Sequence, residues 1–322
     1  MKKKVLITGS EGYLGNQICN VFLQKNFIVY GIDNKIKYGN IEKKNIINKN
    51  KNYRFLKIDC KNKKKIKKIA TKCEYIIANA ALVGGINSMN SFPYNFFLEN
   101  IQINISTIEA SLNSFFRKKL KKIVFISSSG IYEKNSKLKS KEGSENNMSF
   151  PNNFYSFEKL ASERLLLAAN TQYNIPYLIL RPFNIIGHDG TERIKKSTHV
   201  IPDLIKKIKN NIKKIKIYGD GNQKRSFIHY QDVAEAIFKC TMSNKIINET
   251  INIGGPKGYK IIEIVKSIYK RIHPKKKLII KKTKYFKIDH KNNVADISKL
   301  LKFSKFTFKY NIKKSLNSYF QK

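Results

Sequence analysis

The 322-residue sequence predicts an α/β fold, a doubly wound parallel sheet carrying a smaller α/β region, on three observations. Apolar strand-like runs alternate with helix-spaced segments from Val5 to Phe183. A glycine-punctuated loop follows the first run, and after Asn184 the texture shifts to shorter, lysine-rich segments. Alternation of this kind builds a parallel sheet covered by helices on both faces.

In chain order, VLI (5–7) reads as the first strand, and Asn16 to Gln24 carries helical spacing in Ile18, Val21 and Phe22. FIVYGID (27–33) is the second strand. FLKID (55–59), YIIANAA (75–81), KIVFISSS (122–129) and YLILRPF (177–183) follow, with helices expected near 93–116 and 153–172. YGDGNQ (218–223) and IGGPKG (253–258) are glycine loops of the later region.

Composition narrows the function classes. No apolar run approaches the roughly 18–20 residues of a membrane span. The run in MKKKVLI stops at Ile7 in a Thr-Gly pair, too short for the core of a signal sequence, so a cytoplasmic chain with no membrane partner is expected. Cys19, Cys60, Cys73 and Cys240 lie far apart, as reduced thiols do, and His188, His199, His229, His273 and His290 show no ligand spacing, so no metal is expected. The formal charge of +42 invites a nucleic-acid reading. However, 57 of the 64 basic residues are Lys, spread along the chain as in KNKKKIKK (61–68) and KKIKNNIKKIK (206–216), beside 35 Asn. Lys, Asn and Ile are spelled by A- and T-rich codons, so coding bias accounts for the excess and no nucleic-acid partner is expected.

The first loop, in VLITGSEGYLG (5–15), places three glycines where a dinucleotide needs them. Gly9 permits the tight turn after the strand, Gly12 lets the backbone approach a pyrophosphate, and Gly15 allows helix to pack on sheet. The second strand ends in Asp33, 18 residues after Gly15, where a carboxylate accepts hydrogen bonds from the adenosine ribose and repels a 2′-phosphate. NAD is the cofactor this pattern predicts.

In FYSFEKLASE (154–163), Tyr155 and Lys159 stand four apart, on one face of a helix. A phenol titrates near 10, so a neighbouring ammonium and a cationic nicotinamide are expected to lower it toward a useful base. The KIVFISSS strand ends in Ser127, Ser128 and Ser129, which puts hydroxyls at the carboxyl edge of the sheet, where ligands of open α/β folds bind.

With these residues in view, the chain resembles the extended short-chain dehydrogenase/reductase family of nucleotide-sugar epimerases and dehydratases over nearly its whole length. TGSEGYLG is similar to the family's T-G-x-x-G-x-x-G loop. Tyr155 and Lys159 match its Y-x-x-x-K pair, and Ser128, four before Tyr132, matches its active hydroxyl residue. The resemblance implies a Rossmann-type NAD-binding domain over 1–183, rejoined by about 226–256, and a substrate-binding domain from 184–225 and 257–322. It implies adenine contacts at Asp59 and Cys60, and further cofactor contacts at Tyr13, Leu14, Asn34, Ala80, Ala81 and Asn100. RPFNIIG (181–187) resembles the stretch that introduces the sugar-nucleotide site, so Asn184 inherits a substrate contact, as do Val83, Ser129, Val200 and Tyr218. Arg225 is implied to grip the pyrophosphate. Two family features are absent: Ala78 replaces the usual His before the paired alanines, and the second phosphate-binding Arg is missing, with Lys284 or Lys287 nearest.

AALVGGI (80–86) is similar to GDP-fucose synthase, and FEKLASE (157–163) to GDP-mannose 3,5-epimerase, which favours a GDP-sugar. Both enzymes use a Cys two residues before the Tyr matched by Tyr132, but Gly130 stands there, so ring deprotonation lacks its catalyst. The expected activity is therefore an NAD-dependent 4-epimerase. The alternatives are a 4-keto-6-deoxy sugar nucleotide reductase and, in another class, a non-catalytic NAD-binding protein. Family members pair two long helices across a two-fold axis, so a homodimer is expected. Phe96, Ile103 and Leu166 are taken as apolar residues of its outer face.

Overall fold

The computed structural model describes residues 2–36, 46–135, 139–188, 200–210, 214–283 and 292–320. The first half runs β1 (Lys4–Thr8), α1 (Tyr13–Gln24), β2 (Ile28–Asp33), β3 (Tyr53–Lys57), α2 (Lys63–Ala70), β4 (Tyr75–Ala78), α3 (Ile86–Ser91), α4 (Pro93–Phe116) and β5 (Lys122–Ile126). It continues with α5 (Phe154–Tyr173), β6 (Tyr177–Pro182), β7 (Asn184–Ile186), α6 (Val200–Asn210), β8 (Lys214–Tyr218), β9 (Lys224–His229), α7 (Tyr230–Met242) and β10 (Glu249–Ile253). The last elements are β11 (Gly258–Lys260), α8 (Ile261–Ile272), β12 (Ile279–Thr283), β13 (Asn292–Asn293), α9 (Ser298–Ser304) and α10 (Ile312–Asn317).

Runs such as YIIA, KIVFI and YLILRP leave no polar face, and each becomes a strand buried throughout. Seven parallel strands pair in the order β10-β6-β5-β4-β1-β2-β3, the doubly wound sheet the alternation predicts. Side chains alternate across it. Val5 and Ile7 join Phe22, Val124 and Ile237 under α1 and α7, whereas Leu6 joins Ile76, Phe125 and Leu166 under α2, α4 and α5. A second core of Ile205, Ile208, Ile215, Ile264 and Ile268 lies among α6, α8 and the parallel β8–β12 pair. Between the two, β9 pairs with β7, β11 and β13.

Local chemistry sets the helix ends. Pro93 opens α4, where its missing N–H costs nothing. Asn153 caps α5 by accepting the Ser156 N–H at 3.2 Å, and Asn174, at φ 57°, ends it in the left-handed region that Asn tolerates.

Three details differ from the sequence reading. The third strand is Tyr53–Lys57, so Asp59 lies in the following turn, and β5 stops at Ile126, which leaves Ser128 and Ser129 outside the strand. The third concerns the long helices. Phe96 and Leu166 are buried and Ile103 packs on the core, so their helical phase turns these residues inward. The exposed large apolar residues of α4 and α5 are instead Tyr94, Ile105, Phe116, Phe154, Leu165 and Tyr173.

A buried charge cluster ties α5 to the sheet. Arg181, at the end of β6 and 2% exposed, donates through Nε and Nη2 to Glu163 at 2.9 and 2.6 Å. Nη2 also reaches Glu145 at 2.7 Å, and Nη1 the Tyr132 hydroxyl at 2.7 Å. Burial pulls the Glu145 carboxyl up, but the Arg181 guanidinium outweighs it and holds the group below its usual range. Arg181→Met strands two buried carboxylates and should cost about 3–5 kcal/mol, read by urea denaturation. A loss under about 1 kcal/mol would mean that the carboxylates find other partners.

Candidate active site

Strand order reverses between β1 and β4, so the chain departs in opposite directions and leaves a crevice beyond their carboxyl ends. Gly9 turns the chain out of β1 at φ +68°, and Gly12 precedes α1. A Cβ on Gly15 would collide with the Gly9 carbonyl oxygen, so this helix start approaches the strand end only through glycine. Asp33, ending β2, accepts the Glu11 N–H at 3.1 Å and the Lys35 N–H at 2.7 Å, which places its carboxylate against the glycine loop. Asn34 Nδ2 donates to Asp59 at 3.3 Å. Cys60 is buried beside them, and burial first, then the Asp33 charge, pushes its thiol up to about 12.

The other lip of the crevice is the loop after β4. Thr8 Oγ1 accepts the N–H groups of Asn79 and Ala80, both at 3.0 Å, and Asn79 Nδ2 returns to the Thr8 carbonyl at 3.3 Å. Fully buried Asn100 accepts the Leu82 N–H at 2.7 Å and donates to its carbonyl at 3.0 Å. It therefore acts on this structure by fixing the loop of Ala80, Ala81 and Val83. Tyr13 Oη donates to the Gly187 carbonyl at 2.6 Å, whereas Leu14 packs on the core.

The first turn of α5 presents Tyr155 to the same edge. Lys159 lies one turn on, 2% exposed, with Nζ donating to the Ile126 carbonyl at 3.1 Å and lying 5.8 Å from the Tyr155 ring centre. The turn after β5 packs on this helix. Ser128 Oγ accepts the Gly130 N–H at 3.1 Å, and the room a Gly130 side chain would need is taken by Ser156 Oγ.

Electrostatics here depart from expectation. Burial first, then the Glu158 charge, raises the Tyr155 phenol above its ordinary value, where the sequence reading had Lys159 lowering it. Burial also pulls Lys159 down, against Glu158 and Glu163, which hold it up. Glu163 is tied to Arg181. Fully buried Glu158 instead accepts through Oε1 from Asn104 Nδ2 at 2.7 Å and Ser162 Oγ at 2.6 Å, and its Oε2 has no hydrogen-bond donor among the described residues.

The remaining sequence-picked residues belong to the smaller region. Asn184 Nδ2 donates to the Ser226 carbonyl at 3.0 Å, joining β7 to β9. Arg225 is buried in β9, with Nη1 donating to the Lys224 carbonyl at 2.8 Å. Val200 starts α6 and Tyr218 ends β8, each 42% exposed, and Lys207 Nζ lies 5.4 Å from the Tyr218 ring centre. Ser129 accepts from Asn293 Nδ2 at 3.3 Å. Lys284, Lys287, His199 and His290 lie outside the described residues. His229 stacks on Tyr310 at 3.8 Å, and burial pushes its imidazole down to about 4, a packing role.

Residues 5–254 match the NAD dependent epimerase/dehydratase family. The chain belongs to that family. It is 32% identical over 262 residues to a putative UDP-glucose 4-epimerase of Methanocaldococcus jannaschii, covering 81% of this chain and 79% of that protein. It is 31% identical to the bifunctional polymyxin resistance protein ArnA of Wigglesworthia glossinidia brevipalpis, over 84% of this chain but 41% of that longer protein. The solved UDP-glucuronic acid 4-epimerase of Bacillus cereus, in complex with UDP-glucuronic acid and NAD, superposes with a TM-score of 0.83 at 26% identity, covering 98% and 97% of the two chains.

This member of the epimerase/dehydratase family is thus an NAD-dependent enzyme of the nucleotide-sugar class. Its crevice fits the cofactor: a glycine cradle that excludes side chains, a helix start behind it and a carboxylate at the end of β2. No described helix is long and apolar enough to cross a membrane. Sequence reasoning missed Thr8, Asn79, Glu158 and Arg181. Thr8 had a signal, standing directly before the first glycine, and so had Glu158, one helical turn from both Tyr155 and Ser162, but Asn79 and Arg181 are identified by long-range contacts alone.

Gly130→Ala forces a Cβ against Ser156 Oγ and should cost about 1–3 kcal/mol. Adding Ser156→Ala should restore much of the loss in thermal denaturation. Equal destabilisation of the single and double variants would show that the new methyl group is accommodated elsewhere.

Proposed function

We propose that this enzyme is a nucleotide-sugar 4-epimerase working by hydride transfer at sugar C4. The observation that carries the reading is the Tyr155, Lys159 and Ser128 set at the crevice, beside a turn in which Ser156 Oγ fills the room of any acid or base at position 130. When bound, NAD supplies the hydride acceptor and donor together with a cationic ring. Tyr155 takes the C4 hydroxyl proton as the C4 hydrogen leaves as hydride, and returns it to the same oxygen once the 4-ketone has turned its other face to the returning hydride. Ser128 orients that oxygen, and Lys159 supplies positive charge. Asp33 holds the ribose, with Asn34, Asp59 and Cys60 around the adenine. Arg225 pairs with the diphosphate, and Asn184, Val83, Val200 and Tyr218 border the nucleotide and sugar. We infer a cytoplasmic homodimer paired over the outer face of α4 and α5, supported by exposed Tyr94, Ile105, Phe154 and Leu165.

The test is incubation with UDP- and GDP-sugars in heavy water, followed by proton NMR. The expected product is inverted at C4 and free of carbon-bound deuterium, because the migrating hydrogen stays in the site. Deuterium at C3 or C5 would replace this reading with a 3,5-epimerase. Consumption of reduced cofactor by a 4-keto substrate without inversion would select the reductase. Tyr155→Phe should slow turnover by at least about a hundredfold while NAD remains bound.

Glu158 raises the Tyr155 phenol, so replacing its charge lowers the pH at which the base forms. Glu158→Gln should therefore move the rising limb of the rate–pH profile to lower pH. An unmoved or upward-moved limb would show that the Glu158 charge does not reach the phenol.

A further inference from the structure

Tyr155 is the second residue of α5, in the first turn, where backbone N–H groups lack intrahelical acceptors and a helix frays most easily. Lys159, one turn further in, is held by its own bond to the Ile126 carbonyl. Placement of the phenol therefore depends on how the helix start is fixed. Asn153 caps it, accepting the Ser156 N–H through Oδ1 at 3.2 Å and the Phe157 N–H through its carbonyl at 2.9 Å. In a local capping box the third helical residue, a Glu or Gln, reaches back to the N–H of the cap. Here that residue is Ser156, too short for the task, with Oγ in the room beside Gly130. Glu133 takes its place from 20 positions earlier, accepting the Asn153 N–H through Oε2 at 3.0 Å.

Glu133 directly follows the turn after β5. Its own N–H donates to the Gly130 carbonyl at 3.0 Å, and the Gly130 N–H donates to Ser128 Oγ at 3.1 Å. A line of hydrogen bonds thus runs from Ser128 through Gly130 and Glu133 to Asn153 and the first turn of α5. Arg181 grips the helix at Glu163, two turns further on, and leaves this first turn to Glu133. A carboxylate at a helix N-terminus is also favoured by the helix dipole. We propose that Glu133 is a positioning residue, which locks the start of α5 to the turn that carries Ser128 and so keeps the Tyr155 and Ser128 hydroxyls set on one substrate oxygen. This inference rests on the 4-epimerase reading, in which both groups act on the C4 oxygen, and adds the residue that sets their spacing.

The experiment is steady-state kinetics on the full chain, with rates taken per bound NAD so that unfolded chain does not count. UDP-glucose, UDP-N-acetylglucosamine, UDP-glucuronic acid and GDP-mannose are screened for C4 inversion by wild type, and the accepted compound is used throughout. Glu133→Ala should lower kcat by about tenfold or more, since a small displacement of a reacting group suffices, while KM and the affinity for NAD change by less than about twofold. Glu133→Gln keeps the length and an accepting oxygen, whereas Glu133→Asp keeps the charge but falls short of Asn153. Glu133→Gln should therefore recover most of the rate, and Glu133→Asp should not. Recovery by Glu133→Asp but not by Glu133→Gln would make charge the active feature and overturn the inference, and this pair decides it even if Glu133→Ala does not fold. A loss carried by KM would overturn it as well. Inversion of none of the four compounds by wild type would overturn the 4-epimerase reading and this inference with it. Inversion with kcat indifferent to Glu133→Ala overturns this inference alone.

Discussion

The Arg181 guanidinium, buried with Glu163, Glu145 and the Tyr132 hydroxyl, is the interaction on which the geometry of the crevice depends. A charge removed from water is tolerated only where its donors are matched, and here each partner comes from a different part of the chain. Glu163 lies on α5 one turn after Lys159, Tyr132 closes the turn that carries Ser128, and Glu145 belongs to the later part of the connection between β5 and α5. Tyr132 Oη continues the network to Asn252 at 2.9 Å, in the last strand of the sheet. One side chain thus sets the position of α5 relative to the turn that carries Ser128. Its directional hydrogen bonds allow little sliding between them.

That arrangement also shapes the field at the reactive phenol. Arg181 neutralises Glu163, leaving Glu158 as the acidic group whose charge acts most directly on Tyr155 and Lys159. Burial opposes charge on both members of the pair, raising the phenol and depressing the ammonium. The protein alone therefore holds Tyr155 in the protonated form, and a cationic ring at the crevice favours its ionisation. On the proposed reading of Tyr155 as the base, this coupling to the oxidised cofactor restricts proton removal to the complex in which hydride can move.

Much of this was legible before the structure. β1, β2, β4, β5 and β6 are local apolar runs, and α4 and α5 carry helical spacing, so short-range periodicity suffices to place them. Gly9, Gly12, Gly15, Asp33, Tyr155, Lys159 and Ser128 could be picked as candidates because a tight turn, a strand end and a four-residue helical step each leave a signature in consecutive residues. Strand ends were less legible. Ser127 and Ser128 extend an apolar run smoothly on paper, but β5 stops at Ile126, where the chain leaves for the turn.

The inward phase of Phe96 and Leu166, the partners of Arg181 and the contact between Asn293 and Ser129 had no such signature. Arg181 meets residues 18, 36 and 49 positions away, and Asn293 meets one 164 positions away. The upward push of burial and Glu158 on the Tyr155 phenol in the chain by itself had no such signature either, because Lys159 is visible four residues on but burial is not. Residue order therefore specified the sheet, the cofactor turn and the candidate chemistry, all of which follow from neighbours along the chain. The charge balance, the apolar surface and the contact between Asn293 and Ser129 followed from packing, because burial and long-range contact exist once the chain has folded.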